Sequence, residues 1–334
     1  MQILKEGEGI GFQIMEGPCS AGCEYCYERP IALNLLKKKS DKEYSNLDNR
    51  ELAEVMKQTG FHFTLKGVEH YFQLFNEVGI EEAFLLGSEP TDHPDYDRIM
   101  ESAEKYNIKI TLYTSGKNID KLKHSQINHI ILHLGCENMG ESFVEKINEL
   151  HQNKIIDLRI NFSDLKKEKN AIFSFYEKLI NKNVLLKYSF TSKVKGIDIN
   201  YVTPDNFDKK SLMEFVNEFK LKFPDVHLKA ERSLFRCNFT DEEWDIYTKK
   251  GGFRSKCNMD FSIYPNKGLS LCPPARNLDS GRIVKNKEEF LQGLNNLRTK
   301  FEEIKYSPSF EICASCEFRV NHECQGGCGG YKEK

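Results

Sequence analysis

Eleven cysteines stand in this 334-residue chain, and their spacing is the first chemical signal. Cys19, Cys23 and Cys26 fall within eight residues, with Gly22 between them to permit tight turning. Three thiolates at this spacing can wrap three corners of an iron–sulfur cubane and leave one iron open for a substrate or cofactor. A zinc site would normally want a fourth ligand. Only Cys136 and Cys237 follow over the next 230 residues. Cys257, Cys272, Cys313, Cys316, Cys324 and Cys328 then crowd the last 78. An odd count without a secretion signal argues for metal or redox chemistry in a reducing compartment, not for a disulfide framework.

The CxxxCxxC spacing with an aromatic residue, Tyr25, before its last cysteine resembles the signature of the radical S-adenosylmethionine (radical SAM) superfamily. The resemblance implies that Cys19, Cys23 and Cys26 hold a [4Fe–4S] cluster whose open iron chelates S-adenosylmethionine. One-electron cleavage would then yield a 5′-deoxyadenosyl radical that abstracts a substrate hydrogen atom. It also implies a cofactor role for Gly87, Ser88, Glu89 and Pro90, a GGEP-like stretch with Ser88 where glycine is commoner. In that stretch Glu89 offers a carboxylate to the methionyl ammonium. Thr114 and Ser115, before Gly116, match a Thr-Asn-Gly-like motif. His133 stands at the end of a fourth strand, and Arg159 and Asn161 on a fifth lie where the family often contacts the cofactor, although packing explains them equally well. Cys136, just past that fourth strand, is a candidate hydrogen-atom donor, against the commoner reading of a small buried thiol.

The C-terminal cysteines resemble the SPASM or twitch extension of such enzymes, which binds one or two auxiliary [4Fe–4S] clusters. Carried over, Cys257, Cys272 and Cys328 share one site, with Cys237 as a candidate fourth ligand, and Cys313, Cys316 and Cys324 share another. The Cys316–Cys324 gap is seven residues where the family usually has five, and its usual final cysteine does not follow. Two close cysteine pairs also suit a structural zinc ribbon, which stays open on spacing alone.

The elements that must position these residues alternate. Apolar runs over 83–87, 108–114, 127–134, 155–162 and 184–191 read as strands, with helical spacing over 49–58, 67–78, 96–106, 142–151 and 171–181 between them. With a first strand over 10–16, six strand-then-helix units imply a parallel sheet with right-handed crossovers and a site at the strands' C-terminal ends. The expected fold is α/β: a partial (β/α)6 TIM-like barrel over 1–195, a bridging region over 196–250, and a small cysteine-rich α+β extension over 251–334. The extension should hold a β-hairpin, 261–264 and 269–271.

Forty-eight basic against fifty acidic residues leave a net charge of −2, so nothing suggests a nucleic-acid partner. No apolar run reaches the length of a membrane span, and the start lacks a signal-peptide pattern, so the expected location is cytoplasmic with no membrane partner. The resemblance implies an enzyme, an oxidoreductase or maturase. Its partners would be a peptide or small-molecule substrate and an electron donor such as flavodoxin or ferredoxin. Modification of a ribosomally made peptide, by thioether or carbon–carbon crosslinking or by epimerisation, is the leading expectation. The alternatives are oxidation of an alcohol or thiol on a sugar or protein side chain and, more remotely, a non-catalytic iron–sulfur electron carrier.

Overall fold

The computed structural model describes residues 3–5, 8–18, 29–40, 42–135, 140–162, 165–181, 184–190, 202–265, 267–275, 278–280 and 283–328. Cys19, Cys23, Tyr25, Cys26 and Cys136 lie outside these residues. Among the described residues the chain is α/β, with nine strands and ten α-helices. None of those helices is long and apolar enough to cross a membrane. Chain contacts divide the molecule into two compact units, residues 1–130 with 258–301 and residues 131–257 with 302–334.

In the first unit β1 (Gly9–Gln13), β2 (Glu82–Leu86) and β3 (Lys109–Thr114) pair in parallel, with Gly11 opposite Phe84 and Phe84 opposite Thr111. The helices α1 (Arg29–Lys39), α2 (Asn49–Gln58), α3 (Leu65–Val78) and α4 (Tyr96–Lys105) lie between strands in the chain. In α2 the apolar residues Leu52 and Met56 fall four apart and bury one face, and an Asp48–Glu51 capping box starts the helix. The expected hairpin forms from β8 (Asp260–Tyr264) and β9 (Gly268–Leu271). β8 runs parallel to β1, Gly9 opposite Asp260, and gives the order β3-β2-β1-β8-β9. The core centres on Phe12 of β1, fully buried, with the rings of Phe63, Tyr71, Phe72 and Phe75 at 5.2–6.1 Å. Such edge-on clusters add to the apolar burial that seats α3 on the sheet.

The division crosses β4 (Ile127–His133) after Ile130. The second unit carries β5 (Ile155–Phe162), β6 (Leu186–Phe190) and a short β7 (Leu228–Ala230), again parallel. Its helices are α5 (Glu141–Leu150), α6 (Leu165–Lys178), α7 (Lys209–Lys222), α8 (Asp241–Gly251) and the single-turn α10 (Glu317–Val320). The long α9 (Lys287–Lys305) begins in the first unit. Phe162 of β5 meets Phe215 of α7 at 5.3 Å, and Tyr176 of α6 meets Phe219 at 5.0 Å. β7 extends the parallel series by a strand of three residues, too short for alternation to reveal.

Candidate cofactor site and thiol cluster

At the end of β2 the chain turns through Gly87 at φ +88. A Cβ there would stand 2.5 Å from the carbonyl oxygen of Met15, so only glycine fits. Ser88 follows in the same left-handed region, at φ +46, and its hydroxyl donates to the Gly17 carbonyl at 2.6 Å. The turn thereby ties the end of β2 to the segment that leads into Cys19. Glu89 comes next, 1 % exposed. Its Oε1 accepts from the hydroxyls of Thr91 and Thr114, both at 2.7 Å, and its Oε2 from the amide and hydroxyl of Ser115 at 2.8 and 2.6 Å. Pro90 opens a short 3-10 turn, Pro90–Asp92, behind the carboxylate.

Gly87, Ser88, Glu89, Pro90, Thr114 and Ser115 therefore converge at the C-terminal ends of neighbouring parallel strands. Thr91 and Asn118 complete the network, Asn118 donating to the Thr91 hydroxyl at 3.0 Å and to Asp92 at 2.8 Å. These two were not expected; a hydroxyl two residues beyond the carboxylate was the only signal. Among the described residues no cation pairs with Glu89. A buried carboxylate held only by neutral donors is an unneutralised charge, and a cationic ligand would offset it. Gln13, at the end of β1 and 2 % exposed, adds a buried side-chain Nε2 without a protein partner. The ammonium of S-adenosylmethionine fits the carboxylate, and an acceptor such as its carboxylate oxygen fits the Gln13 Nε2 donor.

The second unit brings His133, Arg159 and Asn161 into another polar group. Arg159 Nε donates to Glu231 Oε2 at 2.6 Å, just beyond β7, and Lys187 pairs with Asp157 at 2.8 Å. Ser189 donates to Asn161 Oδ1. Burial, aided by the Arg159 charge and opposed by Glu231, pushes the His133 imidazole down to about 4, so it is neutral near pH 7. Burial alone would raise the Glu231 carboxyl, but Arg159, Arg232 and Lys187 hold it below the usual carboxylate range. Glu231 had no signal in the sequence because β7 is too short to read.

Two thiols of the second unit, Cys313 and Cys316, stand at the start of α10. Cys316 caps this helix, Cys313 ends the 3-10 turn Glu311–Cys313, and Arg319 donates to the carbonyls of Tyr306 and Ala314 at 2.8 and 2.7 Å. The Gly326 amide donates to Cys324 Sγ at 3.3 Å. A Cβ on Gly326, which sits at φ +75, would lie 3.4 Å from Cys313 Sγ, so the two sulfurs flank this glycine. Cys237 is an exposed residue, yet burial, then the neighbouring Cys324, Cys316 and Cys313, push its thiol up to about 11. Cys257 donates its amide to Gln325 Oε1 at 3.0 Å. Cys328 lines a cavity of about 20 Å³ with Phe207, Arg232 and Ser233, room for about one water. Cys272 lies in the first unit, directly after β9. Among the described residues no three His, Cys, Asp or Glu side chains form a group that could hold a single metal ion.

Residues 17–157 match the sequence model of the Radical SAM superfamily. The radical SAM match covers these residues of the chain. That match implies a [4Fe–4S] cluster and S-adenosylmethionine as cofactors of an enzyme of that class. No curated protein matches the sequence. In structure the chain is similar to SuiB of Streptococcus suis bound to S-adenosylmethionine, at TM-score 0.61 and 16% identity over 98% of this chain and 74% of that one. It is also similar to anSMEcpe with bound AdoMet, at TM-score 0.57 and 16% identity over 96% and 89%. A third similar structure is SuiB bound to its precursor peptide SuiA, at TM-score 0.56 and 16% identity over 98% and 74%. At these identities the likeness is one of fold.

Proposed function

We propose that this chain is a radical SAM enzyme that modifies a ribosomally made peptide by hydrogen-atom abstraction, with residues 1–195 as the catalytic barrel and 251–334 as an auxiliary-cluster region. Cys19, Cys23 and Cys26 would hold the cluster, and Glu89 the methionyl ammonium. When bound, the cluster and S-adenosylmethionine supply one-electron chemistry that generates a 5′-deoxyadenosyl radical. The residues of the chain do the rest. Thr91, Thr114 and Ser115 aim the Glu89 carboxylate by hydrogen bonding both of its oxygens. In the second unit the Arg159–Glu231 pair holds a guanidinium fixed beside a neutral His133. Cys136 is the proposed hydrogen-atom donor to the substrate radical.

The buried Glu89 carboxylate, without a cation of its own, carries the cofactor reading. The peptide reading is supported by the fold shared with SuiB, whose structure has been solved with its precursor peptide. Glu89→Gln keeps the shape and removes the charge. It should weaken S-adenosylmethionine binding roughly tenfold or more, the worth of a charge-assisted hydrogen bond, while the cluster absorption stays. Equilibrium binding to the anaerobically reconstituted chain measures this, and an unchanged affinity would refute the role of Glu89.

A further inference from the structure

The sheet of the second unit packs one face on helices and carries charge on the other. Side chains alternate along a strand, so Asp157, Arg159 and Asn161 of β5 share a face, as do Lys187 and Ser189 of β6. On the opposite face Phe162 meets Phe215 of α7, and Tyr188 donates its hydroxyl to the Gly251 carbonyl of α8 at 2.7 Å. The register then sets three cations in one row. Arg159 stands opposite Lys187, and Lys187 opposite Lys229 of β7. Like charges directly opposite one another destabilise a sheet, so such a row calls for anions around it. Glu231 accepts from Arg159 at 2.6 Å, and Asp157 pairs with Lys187 at 2.8 Å. Lys229 is exposed and forms no salt bridge among the described residues.

Arg254 adds to the excess. Residues 252–254 run along 230–234, the Gly252 carbonyl accepting from the Ala230 amide at 3.1 Å and the Arg254 carbonyl from the Leu234 amide at 2.7 Å. Arg254 Nε is buried without a hydrogen-bond partner. Arg232, next to Glu231 in the chain, donates to the Phe190 carbonyl at 3.2 Å. Partial burial, then the Arg254 and Lys187 charges, hold the Lys229 ammonium below the usual lysine range, opposed by Asp157 and Glu231. Arg159, Lys187, Lys229, Arg232 and Arg254 thus share the two carboxylates of Asp157 and Glu231. All of them lie in the second unit.

We infer that Lys229 and Arg254 recognise an acidic residue of the substrate peptide, taking its side-chain carboxylate onto this face of the sheet. A carboxylate would neutralise charge that the chain itself leaves in excess, and charge-assisted hydrogen bonds would hold it. Arg159 and Lys187 already hold acids, whereas Lys229 is open to an arriving one. The inference deepens the peptide reading proposed above, by naming an acidic residue in the substrate, and rests on it.

The test uses the full chain, reconstituted anaerobically, and two capped amino acids as probes. N-acetylglutamate methylamide carries the carboxylate, and N-acetylglutamine methylamide is its neutral counterpart. The acidic probe should raise the melting temperature with its concentration, and the neutral one should not. Lys229→Gln should bind the acidic probe roughly tenfold more weakly, the worth of a charge-assisted hydrogen bond. Lys229→Arg keeps the charge and should keep the binding; Arg254→Gln should weaken it as Lys229→Gln does. Without probe, Lys229→Gln should melt no lower than the parent, because repulsion along the row is relieved. A lysine that only supported the sheet would lower the melting temperature when lost, and that result overturns the inference. So do equal effects of the two probes, or full affinity in Lys229→Gln. Tighter binding of inorganic phosphate than of the acidic probe would assign the face to a phosphate and overturn it too. Lost S-adenosylmethionine affinity in Lys229→Gln would assign the face to the cofactor's carboxylate, against the inference. The probe measurements need neither cofactor nor peptide, so they stand or fall apart from Glu89→Gln and from the peptide reading.

Discussion

His93 shows how closely single residues of the Glu89 loop are specified. It ends the 3-10 turn behind Glu89, is 2 % exposed, and uses both ring nitrogens. Nε2 donates to the Phe63 carbonyl at 2.9 Å, and Nδ1 accepts from the Asp95 amide at 3.0 Å. A second proton on Nδ1 would face that N–H, and burial pushes the imidazole down to about 4. The folded pKa lies below the unfolded one of about 6.5, so stability is complete above about pH 6.5 and is lost as pH falls towards and below 4. The full loss is about 3 kcal/mol for a shift of that size. Denaturant titrations between pH 7 and 4 should show a falling midpoint in the parent chain and a flatter one in His93→Gln. Equal slopes would mean His93 is not the group responsible.

At the scale of elements, two short devices position the chemistry. The Gly87 turn aims β2 at the cofactor site, and it tolerates no side chain. Gly87→Ala combines a left-handed backbone cost of roughly 1–2 kcal/mol with a clash against Met15. It should lower the melting temperature and weaken S-adenosylmethionine binding together; wild-type binding by this variant would dissociate the turn from the site. The second device is α8, whose Thr240–Glu243 capping box starts the helix that brings Trp244 to Arg236. Thr240→Ala should cost about 1 kcal/mol in denaturant unfolding while the iron content is unchanged. A loss of iron would show that α8 acts on the thiol site and not only on stability.

Across the whole molecule, the amino-terminal and carboxy-terminal cysteines are expected to hold separate clusters. Replacing Cys19, Cys23 and Cys26 together by Ala should abolish 5′-deoxyadenosine formation, measured by chromatography after anaerobic reduction, while several irons per chain remain. A variant devoid of iron would tie all the iron to the amino-terminal motif.

Much of this was legible in the sequence. The strand over 155–162 and the helix over 49–58 match their elements residue for residue, because a buried face imprints a period of two or 3.6 on the chain itself. The cysteine spacing likewise pointed to the family whose sequence model residues 17–157 match. Gly87, Ser88 and Glu89 were legible for the same reason, as a short motif after an apolar strand. What the sequence could not determine lies between residues far apart in the chain. Thr114 reaches Glu89 from 25 residues away, and Glu231 reaches Arg159 from 72. No local pattern encodes such meetings, because they arise from which strands pair and in what register. Only the tertiary structure decided that Glu89 is gripped by Thr91, Thr114 and Ser115.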